Sequence, residues 1–194
     1  MQGKNLLVRS LLGLIGVAAF YLMTAGVVSA EVQVYGLLGT GKVDTDLEPA
    51  NLLDFGNDFQ VGGGFNVLGG EGVKVGLGVE LNYFTASDSF EDVEFDVDST
   101  ITTLNLAVEG AGPVRPFVSA GIGFANSHLT GSAPSLGISV DGQDYGLAYG
   151  AGGGLKLVLG EVFFVGGDFH YFWIQTDPES VRAYRFAGLV GAKF

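Results

Sequence analysis

Apolar side chains recur at every second position along much of this chain, with glycine, polar or charged residues between them. Val73, Val75, Leu77, Val79, Leu81 and Tyr83 alternate with Lys74, Gly76, Gly78, Glu80 and Asn82. Phe59, Val61, Gly63, Phe65 and Val67 oppose Gln60, Gly62, Gly64 and Asn66, and Phe163 to Trp173 repeats the pattern with Asp168 and His170 on its polar parity. A period of two marks strands whose faces meet different surroundings. The last residues obey the same rule: Phe186, Gly188, Val190, Ala192 and Phe194 share one face, and Arg185, Ala187, Leu189, Gly191 and Lys193 the other. An apolar outward face, an inner face that tolerates charge and an aromatic end suit a strand that closes a transmembrane β-barrel.

Eight strands are expected, near 32–42, 58–68, 73–85, 93–109, 115–126, 143–157, 162–174 and 181–194. The connections at 69–71, 110–114 and 158–161 are short, whereas 43–57, 86–92, 127–142 and 175–180 are longer or acidic. Short periplasmic turns and longer outer loops, with both termini periplasmic, are the arrangement of such barrels. Glycine blurs the phase of the first strand; Tyr35 and Leu37 outward with Lys42 inward is the expected setting. The stretch from Gly62 to Phe84 parallels that from Gly152 to Phe172, with Glu80 matching Asp168, as a doubled four-stranded unit or two hairpins under one constraint would.

The first 30 residues read as a secretory leader. Lys4 and Arg9 precede an uncharged stretch from Leu11 to Val28, and Val28-Ser29-Ala30 supplies the small residues of a cleavage site before Glu31. An uncleaved anchor helix is the alternative. Removing residues 1–30 leaves residues 31–194 as one domain, in which no segment has the apolar length of a membrane helix. If that domain spans a membrane it does so as a closed barrel, which pairs every backbone polar group. The chain has no cysteine, so no disulfide contributes to it.

Aromatic residues support the membrane reading. Tyr83, Phe124, Tyr149, Tyr171, Trp173 and Tyr184 fall toward one end of the strands, and Tyr35, Phe163 and Phe194 toward the other, as two interfacial girdles would. A soluble eight-stranded barrel would reverse the two faces; the girdles and terminal Phe argue against it.

Eight strands enclose a lumen that side chains fill. The inward parity carries Gln60, Asn66, Lys74, Glu80, Asn82, Asn105, Glu109, Lys156, Asp168, His170, Arg185 and Lys193, so both charge signs are present, as burial demands. Among these, Lys74, Glu80, Lys156, Asp168, His170 and Arg185 form the expected polar network. Arg185 should face Asp168 or His170, and Glu80 should lie across from Gln60 and reach Arg185 through the lumen. This network is either a latch for a small conductance or a fixed plug. His170 suits the network better than a metal site, since no cysteine or second luminal histidine accompanies it.

All 21 acidic residues lie at or after Glu31; without the leader they face seven basic ones, a net charge of −14. Nucleic acid is excluded as a partner, because binding it needs a basic footprint. Val93, Phe95, Val97 and Ile101 alternate with Glu94, Asp96, Asp98 and Thr100, so the fourth strand should project beyond the membrane, paired with Ser87 to Phe90. Glu91, Asp92, Glu94 and Asp96 offer hard oxygen ligands that Ca²⁺ or Mg²⁺ would share with lipopolysaccharide phosphates, although no EF-hand spacing is present; a solvated acidic surface is the plainer reading. No catalytic set is expected. Ser127 and His128 are adjacent and would point to opposite faces of a strand, with no convincing companion acid.

The stretch GPVRPFVSAGIGF, from Gly112 to Phe124, resembles a strand common in small outer-membrane proteins of the OmpA-transmembrane-domain and OmpX-like superfamily. The resemblance covers residues 31–194 and implies an all-β, eight-stranded antiparallel up-and-down barrel in the outer membrane. No residues after Phe194 supply a peptidoglycan-binding domain, so a cell-wall tether is not implied. It further implies a non-enzymatic protein without cofactor, serving envelope integrity or surface interaction. The partners expected are outer-membrane lipid, lipopolysaccharide, periplasmic chaperones and the barrel assembly machinery, with Phe186, Val190 and Phe194 as the assembly signal. The alternative is a narrow channel or an OmpW-like conduit.

Overall fold

A computed structural model describes residues 30–45, 58–70, 72–90, 93–133, 138–175 and 180–194. They form eight strands: β1 (Ala30–Thr45), β2 (Asp58–Gly69), β3 (Lys74–Phe90), β4 (Val93–Glu109), β5 (Val114–Ala133), β6 (Ile138–Leu159), β7 (Phe163–Gln175) and β8 (Ser180–Lys193). Each pairs antiparallel with its neighbour and β8 pairs with β1, closing the barrel. Closure leaves no unpaired edge in the wall, the condition for crossing lipid with strands. Residues 1–29, all but the last of the leader expected at 1–30, and the segments at 46–57, 71, 91–92, 134–137 and 176–179 lie outside the described residues, Glu91 and Asp92 among them.

Followed once round the barrel, the registers return β1 to itself displaced by about ten residues, so the strands incline at roughly 40° to the axis. The alternation predicted from sequence then appears as exposure: along β7, Phe163, Val165, Phe169, Tyr171 and Trp173 are exposed, and Phe164, Asp168, His170, Phe172 and Ile174 are buried. Tyr83, Phe124, Tyr149, Tyr171, Trp173 and Tyr184 come to nearly one height around the wall, with Phe163 and Phe194 near the other end. These belts fit the ~25 Å apolar band of an outer-membrane barrel.

Three expectations about the strands need correction. β1 has the opposite phase: Leu37 is 4% exposed and Val34 and Leu38 are 51% and 58% exposed, so Tyr35 and Leu37 face inward and Lys42 outward. Glycines at 36, 39 and 41 had removed the pattern that would have shown this, and Tyr35 accordingly belongs to the lumen and not to a girdle. The connections at 86–92 and 127–142 are mostly strand, because β3 continues to Phe90 and β5 and β6 pair up to Ala133 and Ile138. Finally, Glu80 pairs with Gly64 and Gln60 with Phe84, since the β2–β3 turn is longer than expected, with Gly70 at a positive φ of 124°.

The extended strands give the barrel one tall side. β2 pairs with β3 no further than Gln60 and Phe84, and β7 pairs with β6 no further than Gln175 and Leu147. Beyond those points β3, β4, β5 and β6 continue as a four-stranded sheet, Phe90 opposite Val93 and Ala133 opposite Ile138. The expected projection of the fourth strand, paired with Ser87 to Phe90, is therefore present and twice as wide as anticipated.

Candidate functional site: a layered lumen and a projecting acidic sheet

The inward side chains sort by height into three layers. Nearest the periplasmic end, Lys156 donates to Glu109 at 2.6 Å and to Gln33 at 2.7 Å, and Arg115 donates to Glu109 at 3.0 Å and Glu31 at 2.8 Å. Glu31 also accepts from Lys74 at 2.5 Å and lies 3.9 Å from Lys193. This layer includes Lys74 and Lys156 from the predicted network. Sequence reasoning missed Gln33 because the phase of β1 was inverted, and missed Glu31 and Arg115 because each sits at the very start of its strand.

The middle layer is centred on Arg185, which is fully buried. Its Nε donates to Asp168 at 2.8 Å and its Nη1 to Glu80 at 2.9 Å and to the Asn82 carbonyl oxygen. Glu80 also accepts from Tyr35 and from Asn82, each at 2.9 Å. Charge-assisted bonds of this kind are what let a guanidinium and two carboxylates remain ionised away from water. Arg185 pairs across the ladder with His170, and Asp168 is one step along, as the register argument required. Glu80 and Asp168, the two acids matched by the internal repeat, thus meet on one guanidinium. His170 stacks on Phe172 at 4.6 Å and lies 3.7 Å from Asp168, beside the network, with neither ring nitrogen hydrogen-bonded. Its bulk is accommodated by Gly152 opposite, where a Cβ would stand 2.5 Å from Nδ1.

Above the charges the lumen turns apolar. Phe84, Ile101, Ala125, Ala148, Phe172, Ile174 and Ala183, from six strands, form one buried cluster at a single height just inside the outer girdle. Between the two charged layers there is a cavity of about 20 Å³ lined by Tyr35, Asn66, Glu80, Asn105, Glu109 and Lys156, room for about one water.

Outside, the projecting sheet is acidic. Glu94, Asp96, Asp98 and Asp141 are exposed on its outward face, with Asp98 accepting from Tyr83 at 3.0 Å. His128 contacts Asp141 at 2.9 Å, so this histidine has the companion acid that the sequence did not reveal: Asp141 becomes a neighbour only because the supposed loop is a ladder. Ser127 turns to the opposite face and bonds Ser99 at 2.7 Å, so Ser127 and His128 do not form a nucleophile and base pair. Among the described residues no cluster of three metal-ligating side chains occurs.

Solved structures share this architecture, and two of them illustrate it. One is Ail, the attachment invasion locus protein of Yersinia pestis, in complex with the heparin analogue sucrose octasulfate: TM-score 0.56, 16% identity, 86% of this chain and 99% of that one. The other is Neisserial surface protein A: TM-score 0.57, 14% identity, 85% and 97%. Likeness at this identity concerns the fold. No curated protein sequence matches the chain. The model of the outer membrane protein β-barrel domain matches residues 11–194, and with its closed eight-stranded wall the chain belongs to that family of outer-membrane proteins.

Proposed function

We propose that this is a non-enzymatic outer-membrane protein that acts at the cell surface through the projecting β3–β6 sheet, with the barrel as its anchor. The observation that carries this reading is the tall side of the wall: Ile138 to Gly146 of β6 run beyond the last β7 pairing, about 30 Å along the strand. A barrel that only sealed the bilayer would not need strands of 20 and 22 residues beside ones of 12 and 13.

The sign of the sheet indicates its partner. Ail was crystallised with a polyanion, whereas the outward face here carries Glu94, Asp96, Asp98 and Asp141, which repel polyanions. The fitting partner is cationic, or is an anionic glycolipid bridged by Ca²⁺ or Mg²⁺ through carboxylates including Glu91 and Asp92. Assembly would be directed by the outward Phe186 and Val190 of β8 and by Phe194 just after it, read by periplasmic chaperones and the barrel assembly machinery. The apolar luminal layer weighs against the alternative of a narrow conduit.

Cells displaying the protein test this directly. They should bind polylysine and not heparin, and the E94Q/D96N/D98N/D141N variant should lose at least half of that binding with the barrel still folded. Unchanged binding in the variant would reject the acidic sheet as the interaction surface.

A further inference from the structure

The projecting sheet contains a single residue able to take a positive charge. Between Lys74 and Lys156 the only basic residues are Arg115, at the periplasmic end of β5, and His128. His128 stands in the middle of the acidic face. In register it is flanked by Asp98 on β4 and by Gln143 on β6, and at the next outward rung Thr130 pairs with Asp96 and with Asp141. On the membrane side Asn126 lies between Thr100 and Tyr145. Beyond β4, β3 brings Thr85 opposite Asp98 and the Tyr83 hydroxyl, which donates to Asp98 at 3.0 Å. Three carboxylates therefore surround one imidazole. Of the side-chain types present there, only imidazole changes charge between pH 5 and 8 in its unperturbed state.

The ring is held in place by Asp141, whose Oδ1 lies 2.9 Å from Nε2. An ionised carboxylate can only accept, so Nε2 is the donor and Nδ1 is the nitrogen that takes up or releases the second proton. One rung nearer the membrane Gln143 donates to Asn126 at 3.0 Å, so two parallel diagonal bonds tie β5 to β6 around the ring. The His128 side chain is 47% exposed. A proton thus reaches it from water without any opening of the barrel, and the charge gained is presented to whatever docks on this face.

We infer that His128 is a proton-operated charge switch for the projecting sheet. Unprotonated, it leaves Glu94, Asp96, Asp98 and Asp141 uncompensated by any cation of the sheet; protonated, it sets a positive charge among three of them, and the face releases a cationic partner on acidification. The release rests on the reading of the acidic face as the interaction surface, whereas the change of charge does not.

Distance and screening favour the effect. Cross-strand neighbours on one face of a sheet are about 5 Å apart, inside a Debye length of about 8 Å at physiological ionic strength. The imidazolium acts most on Asp98 and Asp141, and least on Glu94 further along β4. Carboxyl groups ordinarily titrate near pH 4, so acidification to about pH 5.5 acts chiefly through the histidine.

A chain without cysteine allows a measurement that needs no partner. T130C places a thiol between Asp96 and Asp141, two residues from His128 on the same face. The ratio of its reaction rates with a cationic and an anionic methanethiosulfonate reagent reports the local potential, and the ratio cancels the ionisation of the thiol itself. With each variant shown to be folded by heat-modifiable electrophoretic migration, the ratio should fall at least threefold from pH 8 to pH 5.5 in T130C. It should stay level in T130C/H128N and be low at both pH values in T130C/H128R. Polylysine, cationic throughout this range, should bind vesicles bearing the wild-type barrel at least threefold more weakly at pH 5.5 than at pH 8, and vesicles bearing H128N equally at both. A ratio independent of pH, or one that falls equally in T130C/H128N, would overturn the switch, and polylysine binding independent of pH would overturn the release. A ratio that switches while polylysine binds at neither pH would uphold the switch and reject the acidic face as the interaction surface.

Discussion

Arg185 and Glu80 are separated by 105 residues of chain and by 2.9 Å in the lumen, where they join β8 to β3 across the barrel. Asp168 holds the other side of the same guanidinium at 2.6 Å. Removing one member of such a set strands the others without water, at about 3–5 kcal/mol. R185L should therefore lower stability by about that amount in urea unfolding from lipid vesicles, and R185L/E80L/D168L should recover most of it, because an apolar replacement leaves no orphaned charge. Equal loss in the single and triple variants would show that the barrel depends on the charges themselves.

If the lumen is to conduct, the apolar layer above Arg185 is the first thing that must give way. Phe172 and Ile174 are each 1% exposed, so the layer is closely filled whatever the charges beneath it. Wild-type protein and R185Q should both be silent in planar bilayers, and F172S/I174S should show discrete openings. Steady conductance in R185Q alone would make the charged pair the gate.

The periplasmic layer should respond unequally to loss of its two acids. Glu109 is buried against Lys156, so E109A leaves a buried ammonium unpaired and should cost about 3–5 kcal/mol. Glu31 lies at the mouth, where water reaches it, and E31A should cost roughly 1 kcal/mol or less. Chemical unfolding of both variants under one condition gives the comparison.

Glycines on the two faces should differ in tolerance. Gly152→Val drives a side chain into His170 and should destabilise the barrel by at least about 2 kcal/mol or prevent its folding. Gly167→Val projects into open space on the lipid face and should stay within about 0.5 kcal/mol of wild type. Folding yield and urea midpoints measured in parallel decide this.

Much of the wall was legible because lipid imposes a strict parity. β2, β3, β7 and β8 each carry enough Phe, Val and Leu on one parity to set their phase, and the β7–β8 register followed from the position of the connection between them. β1 failed for a local reason, since three glycines replaced the side chains that would have shown its phase. With that phase went Tyr35 and Gln33, which link Glu80 and Glu109 to the rest of the lumen. The tall sheet was half visible: Val93 to Thr102 alternates plainly, whereas Ser127 to Asp144 is rich in Gly, Ser and Asp and resembles a loop in composition although it pairs as a ladder. Contacts across the lumen, such as Arg115 with Glu31, depend on the stagger of the whole barrel and cannot be read from any single strand.

The apolar parity of each strand meets acyl chains, and the other parity is enclosed. The native chain has no cysteine, so single cysteines can be placed from Phe163 to Gln175 and spin-labelled in lipid vesicles. Collision with dissolved oxygen should be high at 163, 165, 167, 169, 171 and 173 and low at 164, 168, 170, 172 and 174. Absence of that period, or attack by a water-soluble reagent at the odd positions, would contradict it.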